Sequence, residues 1–278
     1  MNDSRPTAAL ASPRAAGRSF VQSSAFEVLA RAGFVARGLV YAIIGVLALK
    51  LAFGHGGKLT NQQGALKTVA HQPFGTVLLT LVAIGLGGYS LWRLVRAAIG
   101  HGPEGSDTGF ERLAALASGL AYGALCLLAI EILVSGHGST SGSPKKATAG
   151  VFGWPGGTWL VGLAGVVMIA VALYQGYRGI TKKFLTDSKV EEMKPEVKRW
   201  ISRIGTVGHL SRMVVFGLVG IFLVKAAIDY NPKQAVGLDG ALAKLTHYSY
   251  GPLLLGVVAA GLIAFAVYSL SDARYRRI

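Results

Sequence analysis

Six apolar stretches, each about twenty residues long, follow one another along the chain and are separated by polar or glycine-rich segments. They occupy residues 33–54, 72–92, 113–135, 156–177, 206–228 and 251–271. A helix needs about twenty residues to cross a hydrocarbon layer of roughly 30 Å. The runs lack the strict apolar–polar alternation of transmembrane β-strands, so they predict helices. The second, fourth and sixth runs carry no charge. The first carries Arg37 and Lys50, the third Glu131, and the fifth His209, Arg212 and Lys225. The pattern therefore predicts an all-α integral membrane protein with six transmembrane helices.

Charge-bearing and charge-free runs alternate, and self-similarity follows the same period. The segment GALKTVAHQPFG at 64–75 realigns with GALAKLTHYSYG at 240–251. The runs ahead of them align as well, pairing Arg37, Tyr41, Gly45 and Lys50 with Arg212, Phe216, Gly220 and Lys225. A middle unit places Ser118, Tyr122, Cys126 and Glu131 at those positions. Late in the charge-free runs Trp92, Tyr174 and Tyr268 coincide, as do Arg96, Arg178 and Asp272. Each unit crosses twice, so the three share one orientation, as parallel repeats do. The expected organisation is a tail at 1–24, repeats at 25–100, 109–180 and 206–278, and a basic linker at 181–205. A pseudo-threefold bundle follows naturally, with a sequential row of hairpins as the alternative.

These residues carry a resemblance. ARGLVY at 36–41, the Gly-Ala-Leu segment ahead of QPFG at 72–75, and ARYRR at 273–277 are similar to the bacterial membrane family called domain of unknown function 1206. The resemblance covers about residue 26 to the C-terminus. It implies a two-helix module used three times in a bacterial inner membrane, and no established activity. The middle unit lacks the arginine and the Gly-Ala-Leu segment.

Composition sharpens the picture. Only 15% of the 278 residues are charged, yet the net charge is +15. A nucleic-acid binder clusters its cations on a soluble face; here they lie between apolar runs, which excludes nucleic acid as the expected partner. Eighteen Lys and Arg fall in the tails and the even-numbered loops, against six in the odd-numbered loops. The positive-inside rule then predicts both termini in the cytoplasm, with anionic lipid headgroups of the inner membrane as partners at that face. Homo-oligomerisation is left open. The first 24 residues have no apolar core and read as a cytoplasmic tail. In the linker, Val190, Met193, Val197, Trp200 or Ile201, and Ile204 recur at helical spacing among basic residues, and Pro195 opens a turn. An amphipathic helix lying at the headgroups and leading into the fifth run is expected there.

The candidate site residues are the polar groups inside the runs. An inner level holds Arg37, Ser118 and Arg212, and an outer level, thirteen residues on, holds Lys50, Glu131 and Lys225. The aromatic partners are Tyr41, Tyr122, Trp92, Tyr174 and Tyr268. A charge at the bilayer centre costs at least about 2.5–3.5 kcal/mol, so such groups are functional candidates by default. The competing reading is that the cations snorkel to headgroups while Glu131 pairs with Lys50 or Lys225. Thirteen residues is about 220° of helical turn, which favours two separate polar sites over one charged pore. Abundant glycine, including Gly38, Gly45, Gly119 and Gly123, predicts close helix packing, and Cys126 reads as a small packing residue. His55, His71, His137 and His247 gather in the odd-numbered loops as weak metal candidates; no ligand pair sits at helical spacing. No metal or cofactor is expected. Nucleophile and nucleotide motifs are absent, so the expected function is non-catalytic, a scaffold, lipid-associating or assembly factor. The alternative is a channel or transporter for a small or anionic solute.

Overall fold

The computed structural model describes residues 23–55, 59–99, 109–135 and 144–277. Helix α1 (Ser24–Ala52) is followed by the short α2 (Gln62–Ala70) and the long α3 (Gly75–Ile99). The second unit has α4 (Gly109–Ser135), short α5 (Pro144–Phe152) and α6 (Gly157–Thr181). The third has α7 (Pro195–Ile228), short α8 (Leu238–Leu245) and α9 (Gly251–Tyr275). The six long helices are apolar enough to cross a membrane, and each repeat is long helix, short helix, long helix. The short middle helix went unpredicted because eight or nine residues hold too few turns to show a period. It also persists in the second unit, which lacks the Gly-Ala-Leu segment.

Glycine at the start of each returning helix follows from this layout. A Cβ at Gly75, Gly157 or Gly251 would collide with a carbonyl near the end of the preceding short helix, at Ala70, Val151 and Thr246. The chain turns too tightly there for any side chain.

The most extensive helix packing is between repeats: α3 on α4, α6 on α7, and α9 on α1. Within a repeat, α1 packs on α3 and α7 on α9. The order is that of a six-helix ring with pseudo-threefold symmetry. The ring is incomplete because α4 and α6 make little contact, although the Tyr174 hydroxyl reaches Glu111 at 3.2 Å near one end.

Each interface between repeats solves the same volume problem. Gly45 lies against Ile263, and its counterpart Gly220 against Ile169. At the third interface the sizes are exchanged: Cys126 faces Gly87, and its Sγ reaches the Ala83 carbonyl at 3.3 Å. Cys126 is thus the packing residue its position predicted. A Cβ at Gly45 would stand 2.7 Å from Ile263 Cγ1, so Gly45→Cys is expected to destabilise by about 1–3 kcal/mol. Adding Ile263→Ala should recover at least half of that in thermal melts of the detergent-solubilised protein. A neutral Gly45→Cys would sink the packing argument.

The linker leads as a helix into the fifth span, as expected, but its setting differs. Val190–Glu192 is a single 3-10 turn, and from Pro195 the chain runs as one 34-residue helix into the fifth span. A straight helix cannot both lie flat on headgroups and cross the bilayer. Its apolar face is turned to protein instead: Met193 and Ile201 are buried in the core that includes Phe184, while Trp200 points outward.

Candidate functional site

The polar groups of the interior converge at one end of the bundle, where α1 begins and α9 finishes. Arg37 is the centre of this cluster and is buried. Its Nε donates to Ser269 Oγ at 2.7 Å, one terminal nitrogen to the Tyr89 hydroxyl at 2.8 Å, and the other to Asp272 Oδ2 at 2.9 Å. Phe34, Tyr89 and Phe265 surround the guanidinium with ring centroids about 5 Å away. Such contacts stabilise a desolvated cation by about 2 kcal/mol. The snorkelling expectation fails for Arg37 because a carboxylate and two hydroxyls inside the bundle replace the water it would otherwise seek.

The network extends outward along the chain ends. Asp272 Oδ1 lies 3.6 Å from Arg276, which also meets Asp187 at 2.7 Å, and Asp187 binds Arg178 at 2.6 Å. Lys189 N donates to the Tyr275 carbonyl and Arg277 N to the Asp187 carbonyl, so the loop after α6 is stitched to the end of α9. Arg31 caps the same helix, donating to the carbonyls of Ala273 and Arg274. Partial burial alone would raise the Asp187 carboxyl, but the charges of Arg276, Arg178 and Arg96 outweigh it and hold the group well below the usual carboxylate range.

Arg212 occupies the position equivalent to Arg37 in the third repeat, and its surroundings are substituted one by one. Phe34 is replaced by His209, Tyr89 by Phe265, Ser269 by Gln175 and Asp272 by Arg178. The Arg212 guanidinium sits over Phe265, Phe216 and Tyr41 at 4.4, 4.8 and 5.4 Å. The Gln175 amide lies 3.0 Å from His209 Nδ1. Turned so that its nitrogen donates there, its oxygen accepts from both terminal nitrogens of Arg212 at 3.2 and 3.3 Å. Among the described residues Arg212 has no carboxylate partner, and its Nε is buried without a hydrogen bond. The third position of this level, Ser118, is half-buried.

The aromatic candidates join the same end. Trp92 packs edge-on against Phe34 at 5.1 Å, Tyr122 against Tyr89 at 4.6 Å, Tyr41 against Phe265 at 4.9 Å and Tyr268 against Phe184 at 5.1 Å. The outer level does not assemble in this way. Lys50 and Lys225 are exposed and, among the described residues, pair with no carboxylate, so neither is the partner expected for Glu131. Glu131 lines an open hollow of about 390 Å³ with Gln63 and Leu128. His55, His71 and His247 are exposed, and His137 lies outside the described residues. His71 and His247 each set Nδ1 against the carbonyl four residues earlier, closing α2 and α8. No group of three metal-ligating side chains converges among the described residues.

Asp272, Ser269, Tyr89, Gln175, His209 and Asp187 were not singled out from the sequence. Asp272 had a visible signal, being an acid where both other repeats place arginine.

Six apolar helices in a three-part repeat, closed at one end by a buried arginine–aspartate network, make this a multi-pass integral membrane protein. The chain belongs to the family described as Domain of Unknown Function (DUF1206), which matches residues 32–100, 113–182 and 207–276, one segment per repeat. It is similar to the Uncharacterized protein YxxB of Bacillus subtilis (strain 168), 32% identical over 252 residues, or 89% of this chain and 90% of that protein. No solved structure matches it.

Proposed function

We propose that this protein is a non-catalytic component of a bacterial inner membrane that associates with anionic lipid at its cytoplasmic face, where both termini lie. The observation that carries the reading is the internal engagement of Arg37: each nitrogen of its buried guanidinium donates to Ser269, Tyr89 or Asp272. A buried cation so engaged, with its charge met by Asp272, holds helices together rather than offering an open charge to a passing solute. The charge asymmetry of the loops supports the orientation. The exposed cations at that end, among them Arg199, are suited to phosphate headgroups, each worth about 1 kcal/mol near an anionic surface.

The transport alternative draws on a single specific observation, that Arg212 has no carboxylate partner among the described residues. The two readings separate in proteoliposomes. Chloride and phosphate flux through vesicles containing the protein should equal that of protein-free vesicles, and flux clearly above that background would sink the scaffold reading. A reporter fused after Ile278 should be active only on the cytoplasmic side; a periplasmic signal would reverse the orientation.

A further inference from the structure

Pseudo-threefold symmetry makes Arg37 and Arg212 an internal control for one another. Both leave a long helix at the same level and both are enclosed by aromatic rings. Arg37 receives a carboxylate from the neighbouring repeat, Asp272 at 2.9 Å. The residue in Asp272's place beside Arg212 is Arg178, a second cation. Arg178 is already balanced by Asp187, which it shares with Arg276. Asp272 and Asp187 are thus taken up by Arg37, Arg178 and Arg276, and neither pairs with Arg212.

The local donors are also in surplus. Arg212 Nε is buried with no acceptor, and so is Nε2 of His209, one turn earlier on α7. With Gln175 donating to Nδ1, the proton of His209 sits on Nε2, so both orphaned atoms are N–H donors. A buried unsatisfied donor costs about 1–3 kcal/mol, and two of them on side chains that share Gln175, one a cation without a carboxylate, favour negative charge there. Unlike Arg37, Arg212 is only partly buried. Its partner Gln175 is on α6, the helix that barely touches α4.

We infer that Arg212, Gln175 and His209 form a binding site for one oxyanionic group, a phosphate or carboxylate, which takes the place that Asp272 fills for Arg37. A guanidinium fork matches such groups with paired hydrogen bonds. The group is carried either by an anionic lipid entering between α4 and α6 or by a small solute; the chemistry at the guanidinium is the same. The site does not depend on the lipid-associating role above.

The test uses the full-length protein in detergent, titrated with inorganic phosphate at constant ionic strength made up with chloride, and reads the melting temperature. Phosphate is expected to stabilise the wild type saturably, with apparent affinity weakened roughly tenfold or more by Arg212→Gln. Lys225→Gln, which removes an exposed cation elsewhere, should titrate like wild type. Gln175→Glu is the decisive variant, because it is isosteric and places a carboxylate where the amide oxygen now meets Arg212. It should raise the melting temperature without phosphate and abolish the phosphate response. A second arm compares nanodiscs of phosphatidylglycerol and phosphatidylcholine. Stabilisation of the wild type, but not of Gln175→Glu, by phosphatidylglycerol identifies a lipid source; the same contrast with phosphate alone identifies a free solute. If wild type and Gln175→Glu respond identically to both probes, the site is refuted.

Discussion

Arg37→Ala is expected to destabilise the folded protein by about 3–5 kcal/mol, while Arg212→Ala at the equivalent position loses only about 1–2 kcal/mol in phosphate-free detergent. The residue type and the helix register are alike, so the difference reports the partners that only Arg37 has, the Asp272 carboxylate and the two hydroxyls. Removing Arg37 leaves the buried Asp272 carboxylate with only the longer 3.6 Å contact to Arg276, and takes a donor from Ser269 and from Tyr89, which keeps Arg93. An uncompensated buried charge is the expensive part of breaking an ion pair. Removing Arg212 strands no charge and leaves only the Gln175 oxygen and three aromatic rings with less to contact. Thermal melts of the two variants check the contrast. The double variant Arg37→Ala with Asp272→Ala should be more stable than Arg37→Ala alone, because the buried carboxylate that has lost its nearer cation is gone. Equal losses at Arg37 and Arg212 would mean that the ion pair and hydroxyl bonds of Arg37 contribute nothing.

The second large effect concerns the clasp that joins the loop after α6 to the end of α9. Asp187→Asn should lower stability by about 2–3 kcal/mol, since Arg178 and Arg276 then share no carboxylate at that point. The figure is smaller than for Arg37 because Asp187 is only partly buried. Its pH dependence has a definite sign. The carboxyl is held below its unfolded value by the neighbouring arginines, chiefly Arg276 and Arg178, against the opposing effect of burial. The stabilisation is therefore complete above the unfolded pKa of about 4 and is lost as pH falls below it. The gap between wild type and Asp187→Asn should stay constant from about pH 7 to pH 5 and narrow only on stronger acidification. A gap that opened on acidification would contradict the arrangement.

Particular residues show where sequence reasoning reached and where it stopped. The pairing of Arg37 with Arg212, of Gly45 with Gly220 and of Trp92 with Tyr268 was readable, because each is a match between positions at fixed spacing. The opposite environments of Arg37 and Arg212 were not readable as such. Asp272 and Ser269 approach Arg37 from 235 and 232 residues away, and nothing local to either segment records that contact. The fate of the apolar stripe on residues 190–204 was similarly hidden. Periodicity says that Met193 and Ile201 share a face, and it does not distinguish a face of lipid from one built around Phe184. Snorkelling was a fair expectation for any cation near a helix end, and it failed for Arg37 only because another repeat supplied the acceptor.

Hydropathy and spacing, read from the chain alone, determined that six helices cross a membrane and that one helical hairpin is used three times in the same sense. Both are properties of contiguous residues, set by the length of apolar runs and the recurrence of small and charged side chains. Tertiary structure alone decided that the hairpins pack mainly on one another's helices, that the ring stays open between α4 and α6, and which of two equivalent arginines is neutralised. Those outcomes depend on which side chains distant parts of the chain present to a shared interior. There a single exchange, aspartate at 272 for arginine at 178, changes a sealed ion pair into a cation with no carboxylate partner among the described residues.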